Sequence, residues 1–189
     1  MKKVLLVFIT AIILFLAVYG AFALTKNIIS FVQFRKQFSS IAYVQDIKNG
    51  TVPLPDFYFT SPDGKKIYLS DVLKNHKFVI LSFGSIYCEN CHNEYKIFEK
   101  NHLLDKVPKD CAFYFLVPEG RDFISQFEKD MNIHLPLYVL QNGIMKKLGI
   151  SKIPAYMVVG KDRKAKIYIE GFKESSLMDM FEYVRKNGD

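Results

Sequence analysis

Tryptophan is absent from this chain, and cysteine and histidine are scarce, with three and four in 189 residues. Three cysteines do not make the framework of a small fold stapled by disulfides. Two of them form one close pair, Cys88-Glu-Asn-Cys91. Cys111 stands apart in the apolar run Cys111–Val117, where an unpaired cysteine is expected as a small core residue. The shortage of histidine argues against a structural zinc site: His76, His102 and His134 lie far in sequence from the pair. No basic stretch is interleaved with aromatics, so nucleic acid is not an expected partner. Internal repeats and low-complexity tracts are also missing.

Half of the residues are hydrophobic and 15% are aromatic, enough for a packed core. The length suits one domain plus an appendage. A net charge of +7, from 26 Lys and Arg against 19 Asp and Glu, gives a mild preference for acidic partners or anionic lipid.

The appendage is at the N-terminus. Lys2 and Lys3 precede a run from Val4 to Leu24 that holds no charge, with Thr10 as its one conventional polar side chain. About 20 apolar residues span a bilayer core as a helix, and the run exceeds the ~7–15 residues of a secretory signal core. Residues 1–24 are therefore read as a signal anchor. Ala21-Phe22-Ala23 resembles a cleavage site and keeps a cleaved signal as the competing reading. Either way the rest of the chain is exported, with Lys2 and Lys3 held on the cytoplasmic side. Residues 25–52 repeat apolar positions at three and four and are read as a helical stalk or linker. Asn49-Gly50-Thr-Val-Pro53-Leu-Pro55 breaks that pattern, so the globular domain is expected to cover 53–189.

Within the domain the periodicity alternates. Strands are expected at Phe57–Thr60 and Lys66–Leu69, joined by the turn Ser61-Pro-Asp-Gly64. Ser70 is a candidate N-cap for a short helix over Asp71–Lys74. Phe78–Phe83 is apolar except for Ser82, as in a strand buried on both faces. A helix over Cys88 to about His102 carries Cys91, Tyr95 and Phe98 on one stripe. Then follow a strand at Ala112–Val117, a helix at Arg121–Met131 with Phe123, Ile124 and Phe127 inward, an extended segment at Leu135–Leu140, and a helical turn at Ile144–Leu148 closed by Gly149. Strands at Ala155–Val159 and Ala165–Glu170 and a helix at Glu174–Lys186 finish the chain. The pattern describes an α/β fold with a central mixed sheet flanked by helices.

The chemistry concentrates at the cysteine pair. A thiolate performs thiol–disulfide exchange, and a helix N-terminus favours it through its dipole and unpaired N–H groups. Cys88 is placed there. Cys91, one turn further in, can resolve a mixed disulfide formed at Cys88. Glu89 should oppose ionisation of Cys88. Glu94, three residues past Cys91, either exchanges a proton with it or is an ordinary solvated helix residue. Pro154 either begins a strand in the trans form or makes a cis turn.

Several stretches carry a family resemblance: Pro55-Asp56-Phe57, Asp63-Gly64-Lys65…Leu69-Ser70-Asp71, Phe83…Cys88-x-x-Cys91-x-x-Glu94, Ile153-Pro154, Gly160-Lys-Asp-Arg-Lys164 and Gly171. In these the chain from about Pro53 to Gly188 resembles the thioredoxin-like superfamily, and within it the TlpA/ResA-like thiol–disulfide oxidoreductases related to AhpC/TSA proteins. The resemblance implies a thioredoxin-like fold with an N-terminal β-hairpin extension. It implies Cys88 as exposed nucleophile, Cys91 as resolving thiol and Glu94 as the buried acid. It makes Ile153-Pro154 a cis-proline loop which, with Tyr87, Glu89 and Asn90, contacts the partner. Two departures stand out. Tyr87 replaces the usual Trp, and Asn90 replaces the usual Pro, which leaves the redox poise open.

On this reading the chain exchanges disulfides with exported cysteine-containing proteins, apocytochromes c among the candidates, and draws on a membrane thiol donor. It is held in the cell membrane by one span and needs no cofactor beyond the Cys88–Cys91 disulfide. Two alternatives stay open. Cys88-x-x-Cys91-His92 is also the attachment signature of a c-type haem. The domain could equally be a non-enzymatic adaptor whose cysteines are structural. A peroxiredoxin site is unsupported because residues 78–88 contain neither Pro nor Thr. A copper chaperone of related fold would space its cysteines by three residues.

Overall fold

Strand β3 (Phe78–Phe83) is the axis of the fold, and all six of its residues are buried. It runs parallel to β4 (Cys111–Val117) on one side and antiparallel to β6 (Ala155–Gly160) on the other. This follows from its composition, because a strand covered on both faces has no solvent face to carry polar residues. The computed structural model describes Thr25 and residues 42–188. The expected anchor at 1–24 lies outside the described residues. Among the described residues no helix is long and apolar enough to cross a membrane.

Seven strands form one mixed sheet in the order β2-β1-β5-β4-β3-β6-β7. Strands β1 (Tyr58–Thr60) and β2 (Lys66–Tyr68) pair antiparallel, and β1 also pairs antiparallel with β5 (Leu137–Leu140). Strand β7 (Ala165–Glu170) closes the far edge against β6. Side-chain alternation along β3 feeds two cores. Phe78 and Ile80 join the core under α3 (Glu89–Lys100), α4 (Arg121–Met131) and α6 (Glu174–Gly188), with Cys91, Tyr95, Phe98, Phe127 and Phe181. Val79, Leu81 and Phe83 join the opposite core under α2 (Leu69–Asn75) and α5 (Ile144–Lys147), with Phe57, Phe59, Leu69 and Leu148.

Three expectations change. First, residues 42–48 are helical (α1) and the compact unit begins at Tyr43, so the expected linker 25–52 overlaps the domain. The reason is packing: Ile47 is fully buried in the second core. Gly50, at φ +69°, sits so close to the Ala165 carbonyl that a Cβ would collide with it. Gly149, which closes α5 at φ +65°, is equally tight against Val44.

Second, Ser70 does not cap α2, which starts one residue earlier. Its hydroxyl donates to Asp56 Oδ2 (2.8 Å), and the Ser70 N–H donates to Asp56 Oδ1 (3.0 Å). The acceptor for an open helix N–H thus comes from a remote carboxylate. Third, Phe123 is 61% exposed, whereas Ile124 and Phe127 are buried. The i, i+3 pair defines the inner face of α4 and leaves Phe123 beside it.

Candidate active site

The site is built at the C-terminal end of β3. Gly84 extends the strand pairing, its N–H donating to Leu116 O at 3.0 Å. A side chain there would meet Tyr95 Oη at 2.6 Å, so the position requires glycine for space. The Ser85–Tyr87 turn is pinned from the end of β4. Ser85 Oγ donates to Glu119 Oε1 (2.5 Å) and the Ile86 N–H to Glu119 Oε2 (3.3 Å). Both carboxylate oxygens are thus used to fix the turn that delivers Cys88.

Cys88 is the N-cap of α3, one residue before the helix begins, and its sulfur accepts a hydrogen bond from the Cys91 N–H at 3.3 Å. Cys88 and Cys91 are joined in a disulfide with Cα atoms 5.2 Å apart. Cys88 is half-buried and Cys91 fully buried. Tyr87 beside them is 74% exposed, and Glu89 and Asn90 are exposed at the start of the helix. The Ile153–Pro154 peptide is cis, and Ile153 O lies 3.9 Å from Cys88 Sγ. The structure therefore gathers Tyr87, Cys88, Glu89, Asn90, Cys91, Ile153 and Pro154 at one end of the sheet.

Glu94 is not a solvated helix residue. It is fully buried, and Ser82 Oγ donates to its Oε1 at 2.9 Å. Its other oxygen has no hydrogen-bond partner. Burial raises its pKa to about 7, against smaller opposing effects from the nearby Tyr156 and Ser82 hydroxyls. Tyr156 stands directly opposite Ser82 across the β3–β6 pairing. Its hydroxyl is buried near Glu94 without a hydrogen bond of ordinary geometry. Burial, first, and the Glu94 carboxylate, second, hold that phenol far above its usual range. A buried carboxyl three residues along α3 from the buried Cys91, half-neutral near physiological pH, can hold or accept a proton.

His92 turns away from the sulfurs. Its Nε2 is 2.7 Å from Ile86 O, and its ring packs on Phe127 with centroids 4.9 Å apart. A haem-type axial role would require breaking both contacts. Among the described residues no group of His, Cys, Asp and Glu could hold a metal ion. Cys111 is buried on β4 outside the site, and burial pushes its thiol up to about 12. Two surface clefts around His134 and Leu135 include neither paired cysteine. A smaller one, between Ile86, Tyr87, Phe123 and Phe127, adjoins the turn before Cys88.

Ser82, Gly84, Tyr95, Glu119 and Tyr156 were not singled out for function from the sequence. Ser82 carried one signal, as the sole polar residue in a buried strand. Tyr156 and Glu119 reach the site through strand register and chain reversal, which leave no local trace.

Residues 51–167 match the AhpC/TSA family. The chain belongs to that family. Solved structures share its fold with about 70% of the chain superposed. A Bacteroides thetaiotaomicron protein provisionally described as a disulfide isomerase is 24% identical, with a TM-score of 0.59 over 71% of this chain and 87% of that one. The exposed lipoprotein thioredoxin Etrx1 of Streptococcus pneumoniae is 20% identical, with 0.57 over 68% and 99%. StoA of Bacillus subtilis is 16% identical, with 0.55 over 68% and 96%. At these identities the likeness is one of fold, and the family member described here is a thioredoxin-like α/β protein. No curated protein sequence matches it.

Proposed function

We propose that this AhpC/TSA-family chain is a thiol–disulfide oxidoreductase that acts on exported cysteine-containing proteins. The observation that carries the proposal is the asymmetry of the pair: Cys88 is accessible at a helix N-terminus beside the cis Ile153–Pro154 peptide, and Cys91 is buried behind it. In the reducing direction the Cys88 thiolate attacks one sulfur of a partner disulfide. A mixed disulfide forms and the partner's second sulfur leaves as thiolate. Cys91, having lost its proton, then attacks Cys88 Sγ, which restores the Cys88–Cys91 bond and frees the partner dithiol. Glu94 is the group that takes the Cys91 proton. The partner chain lies across Tyr87, Glu89, Asn90 and Ile153. The disulfide is itself the redox group, and no further cofactor takes part.

The apolar run at 4–24 supports an anchored protein with its domain outside the cytoplasm, as does a fold neighbour described as an exposed lipoprotein. A reductase in an oxidising compartment needs a membrane thiol donor, and apocytochromes c are one class of substrate. An insulin-reduction assay tests the activity. Wild-type protein should accelerate precipitation of the insulin B chain, and Cys88→Ala should abolish the effect. Undiminished activity in Cys88→Ala defeats the proposal. Recovery of the full chain in the membrane fraction, its domain open to external protease, tests the location.

A further inference from the structure

Tyr95 sits one helical turn beyond Cys91, at i+4, on the same buried face of α3. Its ring is fixed by edge contacts to Phe115, with centroids 5.5 Å apart, and to Phe127, at 6.3 Å. Its hydroxyl is fully buried and has no hydrogen-bond partner among the surrounding protein groups. Phenylalanine would fill the same apolar space without leaving a buried O–H unpaired, a costly state for a polar group. The position of the oxygen gives the reason for it. A Cβ placed on Gly84 would lie 2.6 Å from Tyr95 Oη and 3.5 Å from Cys91 Sγ. Hydroxyl and sulfur converge on the same point beside the Gly84 backbone, and the absent side chain of Gly84 keeps that space open.

In the disulfide, Cys91 Sγ is neutral and a weak acceptor. When the bond opens, the same sulfur carries a full negative charge at a site with no exposure to solvent, where a charge without a donor is strongly disfavoured. We propose that the Tyr95 hydroxyl is the hydrogen-bond donor that receives the Cys91 thiolate each time the Cys88–Cys91 bond opens. The inference rests on the exchange reading above and adds a residue to it.

The step balances without further reagents. A donor thiolate attacks Cys88 Sγ, a bond forms between the donor sulfur and Cys88, and the Cys88–Cys91 bond breaks. Its electron pair remains on Cys91, and Tyr95 O–H turns onto that sulfur. No proton leaves Tyr95. Burial, followed by the charges of Glu94 and Glu119, holds its phenol well above the usual range, so it remains a donor. Besides Glu89 and His92 in the first turn of α3, three ionisable groups lie near the buried end of the site: Glu94 on the same helix, Tyr156 on β6 and Glu119 after β4. Tyr95→Phe leaves all three in place. Glu94 trades the proton, and Tyr95 holds the charge.

The test uses the full chain with Cys88→Ser, so that Cys91 titrates alone, followed by the 13Cβ shift of labelled Cys91. Adding Tyr95→Phe should raise the Cys91 pKa by about one unit, the size expected for a hydrogen bond to a charged group. With Cys88 intact, at neutral pH, the same change should slow resolution of a Cys88 mixed disulfide about threefold, because the smaller thiolate fraction is partly offset by a stronger nucleophile. It should also slow donor attack on the Cys88–Cys91 disulfide, where Cys91 is the leaving group, while attack of reduced Cys88 on a partner disulfide stays unchanged. An unaltered Cys91 pKa overturns the inference. A second measurement needs no substitution: in the wild type, the 13Cζ shift of Tyr95 should move on reduction of the disulfide, and an unmoved signal also overturns it. A chain inert toward protein disulfides would instead defeat the proposed function and leave both of these readouts intact.

Discussion

Ser82 and Glu94 are joined across the interior, Ser82 Oγ donating to Glu94 Oε1 at 2.9 Å from the strand below to the helix above. The bond explains two sequence anomalies together: a polar residue in the most buried strand and an acid on the inner stripe of a helix. It also leaves the carboxyl one donor short, so the charged form is poorly satisfied and the neutral form is the one the site accommodates.

The first prediction concerns pH and stability. The folded pKa of Glu94, about 7, stands above the 4.5 of a free glutamate side chain. The native state therefore binds more protons than the unfolded state in that window. The contribution of Glu94 to stability is fully present below about pH 4.5 and is lost as pH rises through 7. The loss is on the order of 3 kcal/mol, from a shift of about 2.5 units. Urea unfolding from acid to mildly alkaline pH should show this slope in the wild type and a flatter profile in Glu94→Gln. Parallel profiles would contradict it.

The second concerns Gly84. Gly84→Ala places a methyl against Tyr95 Oη and Cys91 Sγ and should cost about 1–3 kcal/mol through overpacking. Because the closest atom is the phenol oxygen, Tyr95→Phe should recover part of that loss. A double-mutant cycle on thermal unfolding reads the coupling. Additive effects would mean that the two groups do not meet.

How much could be read in advance follows the same division between local and distant signals. Strand β3, the cysteine stripe of α3 and the turn glycine Gly149 are written locally, as an apolar run, an i, i+4, i+7 spacing and a positive-φ position. The Cys88–Cys91 pairing is legible for the same reason, as a local Cys-x-x-Cys spacing. Phe123 lies at the edge of the apolar arc of α4, which periodicity reads as inward, but there it faces the cleft beside Ile86 and Tyr87 instead of the core. Ile47 was misplaced because the Gly50–Pro55 breaker reads as a domain boundary, whereas the chain turns there and packs its preceding helix back onto β7. Ser70 and Glu119 find partners 14 and 34 residues away, and Tyr156 faces Ser82 only through the β3–β6 register; placements of that range depend on topology.

The third prediction follows from Glu119. Its carboxylate holds both Ser85 and the Ile86 N–H, so Glu119→Ala should lower stability by about 1–2 kcal/mol, the scale of charge-assisted hydrogen bonds. The Ile86 amide should lose protection from hydrogen exchange more than amides in the middle of β3. Equal protection in both proteins would show that the turn is held by its own geometry.

The fourth concerns Cys111. Its thiol is buried on β4 with a pKa pushed up to about 12, so at about pH 8 it holds almost no thiolate. Iodoacetamide should label Cys88 in the reduced native protein and spare Cys111 until denaturant is added. Mass spectrometry of tryptic peptides reads the pattern, and rapid native labelling of Cys111 would refute it.

The burial of Ile47 and the close seat of Gly50 beneath Ala165 also bear on how this domain could be set free. A protease that sheds it intact has to cut before Tyr43. A cut in the Asn49–Pro53 stretch, the most inviting sequence for one, would carry off Ile47 and open the core it shares with Leu54, Leu148 and Ala165. Release from the proposed tether at that point would thus be a route to unfolding rather than to a free folded domain.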